Sequence, residues 1–382
     1  MSQRRAFDIV LLGATGFTGR LAAEQLAHDL AGTSTRWAIA GRDRGKLDAL
    51  ADQLPTRPAV EVVDTHDLVG LLDLAARTRV LATSVGPYLR HGELVAQACV
   101  RTGTHYLDVT GEARFVELIR SHYHLDAQQR GVKLISCCGF DSVPHDLGTR
   151  ATVAHLPDDA ALTVRAYVRI HARVSGGTAT TALEAIASGS SRPPRAPTDD
   201  SDGRPVSMCA WRIHRVAELD GWGVPLPTVD PEIVLRSAQA LDGYGTRFRY
   251  GHNALVGRLP VAFAGVAGVG VGAGLARFGP TRSVLARLLP APGDGPDRER
   301  RARHGFDVTF IGTGGGSQVV TRVSGGDLYT ETARMFAAAA LTLLNDAAPD
   351  VAGVLTPAVG LGTAYHDRLV AGGLRFEVLD RS

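Results

Sequence analysis

An apolar run from Phe7 to Leu12 passes directly into Gly13-Ala14-Thr15-Gly16-Phe17-Thr18-Gly19, and a helical pattern from Arg20 to Leu30 follows. Strand, glycine turn and helix in this order constrain the chain more than any other feature. The layout presents the first-turn amides of a helix to the pyrophosphate of a dinucleotide. Gly13 permits the tight turn, Gly16 lets the backbone approach the phosphates, and Gly19 lets the helix pack close to the sheet. Thr15, Phe17 and Thr18 complete the turn and count with the glycines as cofactor-binding positions. The spacing alone recurs easily in a chain with 44 glycines. Its setting between strand and helix is what gives it meaning.

The second strand, Trp37 to Ala40, ends in Gly41-Arg42-Asp43-Arg44-Gly45-Lys46. A free ribose 2′-hydroxyl is usually met by Asp or Glu at this point, and a 2′-phosphate by Arg. Arg42 is the first side chain past the strand and Asp43 comes one place late, so the turn favours NADP(H). A solvated charged turn opening a helix is the alternative. A third strand, Val60 to Asp64, brings Asp64 to where adenine lies in this architecture. A fourth, Val80 to Ser84, runs into Val85-Gly86-Pro87-Tyr88 and a helix from His91 to Thr102, with Leu94, Val95, Ala98 and Cys99 on one face. The strand Thr104 to Val109 leads into Thr110-Gly111-Glu112, and a helix from Ala113 to Gln129 stops before Gly131. A strand from Val132 to Cys137 then ends in Cys138-Gly139-Phe140-Asp141-Ser142-Val143-Pro144. Repeated βα units predict an α/β fold, a Rossmann-type doubly wound parallel sheet with ligands beyond the carboxyl ends of its strands. Three turns share that mouth: Gly13–Gly19, Ser84–Tyr88 and Val109–Glu112. Ser84, Val85 and Gly86 join the cofactor positions on this ground.

Taken in order, GATGFTG, SVGPYLRHGELVAQAC, GTHYLDVTGE and GVKLISCCGFDSVPHDLG resemble the saccharopine dehydrogenase-like oxidoreductases. Within that group the chain is most similar to the trans-acting enoyl reductases, which serve polyketide-derived lipids. These motifs cover residues 6–150; VSGGTATTALE, PGDGPDRERR and VLTPAVGLG extend the likeness with lower specificity. The resemblance implies an NADP-binding domain, a larger mixed α+β domain and hydride transfer. It leaves the substrate open, because the group includes members acting on amino acids and members associated with lipids. The division expected is residues 1–145 for the nucleotide domain, 146–345 for the substrate domain, and 346–382 for a tail that packs back on the nucleotide domain.

The second domain opens with strict alternation from Leu162 to Val174, apolar on one side and Thr163, Arg165, Tyr167, Arg169, His171 and Arg173 on the other. The polar side is either a solvated face or a cationic platform for an acidic carrier protein or a phosphate-bearing acyl group. Val174-Ser175-Gly176-Gly177-Thr178 opens a helix, Ala179 to Ser188, suited to holding an anion at its N-terminus. Arg192–Pro205 and Ala291–Gly305 are loops by composition. Phe306–Gly312 and Gln318–Val323 read as a hairpin, followed by a helix from Leu328 to Asn345. A helix and a short strand, Leu374 to Val378, close the chain.

Composition narrows the function classes. With 382 residues, 45% of them hydrophobic, and a net charge of +2, the chain has the material for two ordinary globular domains. No basic run is interleaved with aromatics, which argues against nucleic acid. Arg4 and Arg5 run straight into the first strand without a secretory segment, and the four cysteines lack CxxC spacing, so a reduced cytoplasmic protein is expected. His122 and His124 face different sides of a helix, and no metal site is expected. The uncharged stretch Leu259–Ala276 reads as a packed helix or loop, as a helix lying at a membrane surface, or as the lining of an apolar channel. Peripheral contact with the inner face of the plasma membrane and a homodimer both stay open.

For an enoyl thioester, hydride addition at the β-carbon produces an enolate, which needs a donor at the thioester oxygen and an acid for the α-carbon. Tyr88, His91 and Glu112 are the candidates, each with a plainer alternative as packed aromatic or helix cap. Asp141 is assigned a structural role, and Cys137-Cys138 buried packing. The leading reading is an NADPH-dependent reductase of α,β-unsaturated acyl chains, free or carrier-bound, in lipid synthesis. A second is an amino-acid imine reductase, with Arg165, Arg169 and Arg173 gripping carboxylates. A third is a non-catalytic NADP-binding protein that docks on membranes or lipid.

Overall fold

The computed structural model describes residues 5–170, 204–258, 304–345 and 348–382. Two compact units emerge, residues 1–143 with 329–373 and residues 144–328 with 374–382.

The first unit is built on seven parallel strands: β1 (Phe7–Leu12), β2 (Trp37–Gly41), β3 (Ala59–Val62), β4 (Thr78–Thr83), β5 (His105–Asp108), β6 (Lys133–Ile135) and β14 (Gly353–Leu355). Their order is β14-β6-β5-β4-β1-β2-β3, so the winding reverses between β1 and β4. Ile9, Val10, Leu11 and Leu12 are all buried, as expected for a strand covered by helices on both faces. The helices are α1 (Phe17–Asp29), α2 (Arg44–Gln53), α3 (Leu68–Ala76), α4 (Tyr88–His91), α5 (Glu93–Thr102) and α6 (Ala113–Gln129). The helix read from His91 to Thr102 is thus two pieces that break at Gly92. A Cβ at Gly92 would meet the Phe115 ring at 2.6 Å, so that residue must be glycine for α6 to pack there.

The tail behaves differently from its expected division. The long helix Leu328–Leu344, assigned from sequence to the substrate domain, packs from Tyr329 onward in the first unit. Tyr329 meets Phe17 edge to face at 5.2 Å, and Thr332 Oγ1 accepts a hydrogen bond from the Phe140 amide at 3.1 Å. Farther along, Val354 pairs with Leu134 as β14 extends the sheet, and helix Pro357–Ala371 follows. The last strand, β15 (Arg375–Arg381), leaves the nucleotide unit and joins the second sheet.

That second sheet runs β15-β13-β12-β7-β11-β10-β9, with β8 (Val206–Met208) also on β11. Its members are β7 (Ala161–Ile170), β9 (His214–Val216), β10 (Gly221–Pro225), β11 (Arg247–Val256), β12 (Phe306–Gly314) and β13 (Ser317–Gly325). β7 and β11 are parallel, whereas β12 pairs antiparallel with both β7 and β13. Val164, Ala166, Phe248, Tyr250 and Phe310 are buried within it. Helix α7 (Val143–Val153) lies close enough that a Cβ at Gly148 would run into the Phe310 ring. Helix α8 (Asp230–Ala240) also belongs to this unit. Alternation along β7 fails at Tyr167, which is 2% exposed and hydrogen-bonds His214 Nε2 at 2.9 Å. Its ring helps fill a small apolar cluster on that side with Ile311, Val320 and Leu255. Arg165 and Arg169 are described; His171, Arg173, the helix expected at Ala179–Ser188 and the stretch Leu259–Ala276 lie outside the described residues.

Candidate functional site

The glycine turn stands between β1 and α1, beside the point where the strand order reverses. Gly13 has φ +88°, and a Cβ on it would meet Val85 Cγ2 at 2.6 Å and Ser84 Oγ at 3.0 Å. A Cβ on Gly19 would collide with the Gly13 carbonyl and lie 2.7 Å from Ser84 Oγ. Both glycines are therefore required by the protein itself. Gly16 is different. Its φ of −72° suits any residue, and a Cβ there would have one neighbour within reach, the Gly13 carbonyl oxygen at 3.4 Å. Gly16 is also the N-cap of α1, where no side chain caps the helix and no acidic residue occupies the first turn. The space above Gly16 and the uncapped amides suit a phosphate group, which gives this glycine a purpose the packing does not. Thr15, Phe17 and Thr18 surround the opening, all partly buried.

Beyond β2, Asp43 accepts a hydrogen bond from the Lys46 amide at 3.1 Å, so one of its carboxylate oxygens caps α2. Arg42 is exposed and forms no ion pair among the described residues. A free guanidinium in place of an acceptor is what a 2′-phosphate needs. Asp64 closes a tight turn by accepting from the His66 amide at 2.9 Å. His91 lies against this same turn. Its Nδ1 is 3.3 Å from Thr65 Oγ1, and its ring meets His66 edge to face at 4.9 Å. Partial burial, then the neighbouring His66 and Arg90, hold its pKa below the usual value, and the charges of Asp64 and Arg42 also act on it. His91, read as a catalytic acid, thus stands with the residues of the β2–β3 side, where a lowered pKa makes it a poor proton donor at neutral pH.

The remaining turns are braced internally. Ser84 Oγ donates to the Gly13 carbonyl at 3.2 Å, and the Val85 amide donates to Thr83 Oγ1 at 3.3 Å. Both therefore support the glycine turn, and Gly86 beside them is exposed. Glu112 accepts hydrogen bonds from the Tyr88 amide at 2.7 Å and the Leu89 amide at 3.0 Å, so its carboxylate caps the start of α4. Tyr88 is 6% exposed; its hydroxyl donates to the Thr83 carbonyl at 3.2 Å and accepts from the Val109 amide at 3.4 Å. Burial, reinforced by Asp108, raises the phenol well above its ordinary pKa. Tyr88 and Glu112, candidates from sequence for the donor and the acid, are both engaged in hydrogen bonds with the backbone of these turns.

Under the turn lies Asp108, fully buried. One carboxylate oxygen accepts from the Thr110 and Cys137 amides at 2.9 and 3.0 Å, the other from Ser136 Oγ at 2.7 Å. Burial outweighs these bonds and lifts its pKa to about 6. Cys137 adopts φ +62° above it, and Cys137 and Cys138 are both buried free thiols. Burial raises the Cys137 thiol well above the ordinary range, so the pair is inert packing. Asp141, read from sequence as structural, is the exposed carboxyl of this turn. Desolvation of its carboxyl raises the Asp141 pKa to about 6. A Cβ at Gly111 would come within 3.0 Å of an Asp141 carboxyl oxygen, so Gly111 leaves room beside it. Its place one residue past Phe140, at the end of a strand-to-helix turn, was the available signal. No helix among the described residues is long and apolar enough to cross a membrane.

Comparison with known proteins agrees with this geometry. The saccharopine dehydrogenase NADP binding domain matches residues 9–134. A trans-acting enoyl reductase of Mycobacterium tuberculosis is 33% identical over 97% of this chain and 97% of its own length. One from Mycobacterium leprae is 35% identical over the same shares. Apo saccharopine dehydrogenase (L-Glu forming) from Saccharomyces cerevisiae shares the fold, with a TM-score of 0.54 at 12% identity, covering 98% of this chain and all of that one. Kinship along nearly the whole length, together with a glycine turn shaped for a dinucleotide phosphate, makes the chain an NADP-binding member of the saccharopine dehydrogenase-like oxidoreductases, in the group of the trans-acting enoyl reductases.

Proposed function

We propose that the chain is an NADPH-dependent reductase of α,β-unsaturated acyl thioesters, free or carrier-bound, in lipid synthesis. The observation that carries this reading is the name trans-acting enoyl reductase borne by relatives matched from end to end. When bound, NADPH supplies the hydride for the β-carbon. The first-turn amides of α1 and the open space at Gly16 would hold the pyrophosphate, and Arg42 would take the 2′-phosphate. Thr65, His66 and His91, which pack together, would serve the adenosine side. Glu112 and Tyr88 fix the α4 turn at the mouth. Asp141 gives its proton to the α-carbon: it stands at the end of the strand-to-helix turn beside Gly111, and its pKa, raised to about 6, is close to the working range of a general acid.

The test is NADPH oxidation by the purified chain with enoyl thioesters of graded length, preceded by separate NADPH and NADH titrations followed by nucleotide fluorescence. Turnover with enoyl thioesters is expected, and Asp141→Asn should lower kcat about 10²- to 10⁴-fold while NADPH binds as before. Turnover with a semialdehyde and an amine, but with no enoyl thioester, would replace this reading with the imine reductase. NADPH binding without either reaction would leave a non-catalytic protein.

A further inference from the structure

We infer that the second unit carries a divalent transition-metal site, for Zn²⁺ or an ion of its class, formed by His145, Asp230 and His252. The three come from separate elements: the first turn of α7, the first residue of α8 and the middle of β11. They are 2%, 2% and 3% exposed, so they are part of the interior rather than a chance surface cluster. His145 Nε2 lies 3.3 Å from Asp230 Oδ1, and His252 Nε2 lies 3.7 Å from Asp230 Oδ2. One donor atom from each residue falls within 4.8 Å of the other two. The imidazoles cross nearly at right angles, 85°, with centroids 4.6 Å apart.

These separations suit a small ion. Tetrahedral zinc, with bonds of about 2.0 to 2.2 Å, spaces its donors roughly 3.3 to 3.5 Å apart. Two imidazoles and one carboxylate suit zinc, cobalt or iron, whereas magnesium and calcium prefer an all-oxygen shell. A cation bound between a carboxylate and two imidazoles in the interior offsets the cost of burying the carboxylate charge. Around the site Tyr250 is buried, its ring centroid 6.4 Å from that of His252, and Thr149 is buried on α7. With three protein ligands the ion keeps a fourth position for a water molecule, and it would pin α7 and α8 to β11. Sequence spacing gives no hint of this site, since no two of the ligands share an element.

The experiment uses the full chain, purified without a histidine tag, stripped with a chelator and titrated with Co²⁺. One equivalent should bind with the strong visible absorption of tetrahedral cobalt, be displaced by Zn²⁺, and raise the thermal midpoint. His252→Gln and Asp230→Asn should each weaken binding by more than about 100-fold. The partly exposed His66–His91 pair is the rival cation site, so the His66→Ala, His91→Ala double variant should keep the cobalt spectrum unchanged. A stripped wild type that takes up neither Co²⁺ nor Zn²⁺ overturns the site, as does loss of the spectrum in the His66/His91 variant or its persistence in His252→Gln. If the buried variants fail to fold, the stoichiometry and spectrum of the wild type and of the His66/His91 variant decide the matter.

Discussion

Two turns at the mouth of the first sheet, Gly13–Gly19 and Ser84–Tyr88 with its neighbour Glu112, offer similar sequences: small residues followed by a helix start. Their polar groups have different destinations. In the Ser84 turn the amides of Tyr88 and Leu89 go to Glu112, and the Tyr88 hydroxyl goes to the backbone on both sides. In the glycine turn, α1 begins without a side-chain cap, and Gly16 stands over open space. One turn is closed by the protein and the other is left for a ligand. A polar residue at the right end of a strand is therefore a weak sign of catalysis until its hydrogen bonds are traced.

The contrast is broken most violently within the glycine turn itself. Gly19→Ala forces a methyl group into the Gly13 carbonyl, two backbone segments that cannot both yield, and should destabilise the fold by on the order of 4 kcal/mol. Gly16→Ala should leave stability within about 1 kcal/mol, because its φ and surroundings accept a methyl, while NADPH affinity drops about 10- to 100-fold. Urea denaturation beside a fluorescence titration separates the two. Equal stability losses would mean that Gly16 is a packing glycine and that the cradle reading fails.

Asp108 gives the next largest effect and tests how closed the Ser84 side is. Its folded pKa of about 6 lies above the ordinary 3.8, so between these values the folded chain keeps a proton that the unfolded chain has released. The Asp108 contribution to stability must then fall as pH rises through that window, by about 3 kcal/mol, and level off above it. Asp108→Asn should remove this share of the slope between pH 4 and 6 in denaturant melts and leave the share of Asp141, whose pKa is raised over the same window. A slope unchanged in the variant would mean that Asp108 is ionised in the folded protein without penalty. Arg42→Ala follows, with NADPH binding weakened by about 1 to 3 kcal/mol and NADH binding nearly unaffected. Equal losses for both nucleotides would take the 2′-phosphate away from Arg42.

The nucleotide fold was legible because its signals are local. Helix α6 spans Ala113 to Gln129 as read, and the strand–turn–helix at Gly13 sits where the glycines place it. What escaped depends on partners distant in sequence. The helix beginning at Leu328 has the same pattern in either unit; contacts such as Phe17 with Tyr329 decide its place. Tyr167 occupies a polar register yet is buried, because His214 supplies a partner for its hydroxyl. His91 follows the fourth strand in sequence, but the break at Gly92 sets it in α4, against Thr65 in the turn after the third. Asp141 was given a structural role because sequence does not show its exposure.

The smallest predicted effect bears most directly on which groups do chemistry. Tyr88→Phe removes a hydroxyl that donates to the Thr83 carbonyl and receives a long bond from the Val109 amide. The ring remains, with its tilted contact to Phe115 at 5.6 Å, so apolar packing is retained. Loss of one buried hydrogen bond and weakening of a second should cost about 1 kcal/mol, visible as a modest shift in denaturation midpoint. Because the hydroxyl faces backbone and its pKa is raised, kcat with an enoyl thioester should stay within a factor of about 3 of wild type. A fall of about 10²-fold or more at unchanged NADPH affinity would restore Tyr88 as the acid. The Ser84 turn would then be open to substrate like its neighbour, and Asp141 would lose the role assigned to it here.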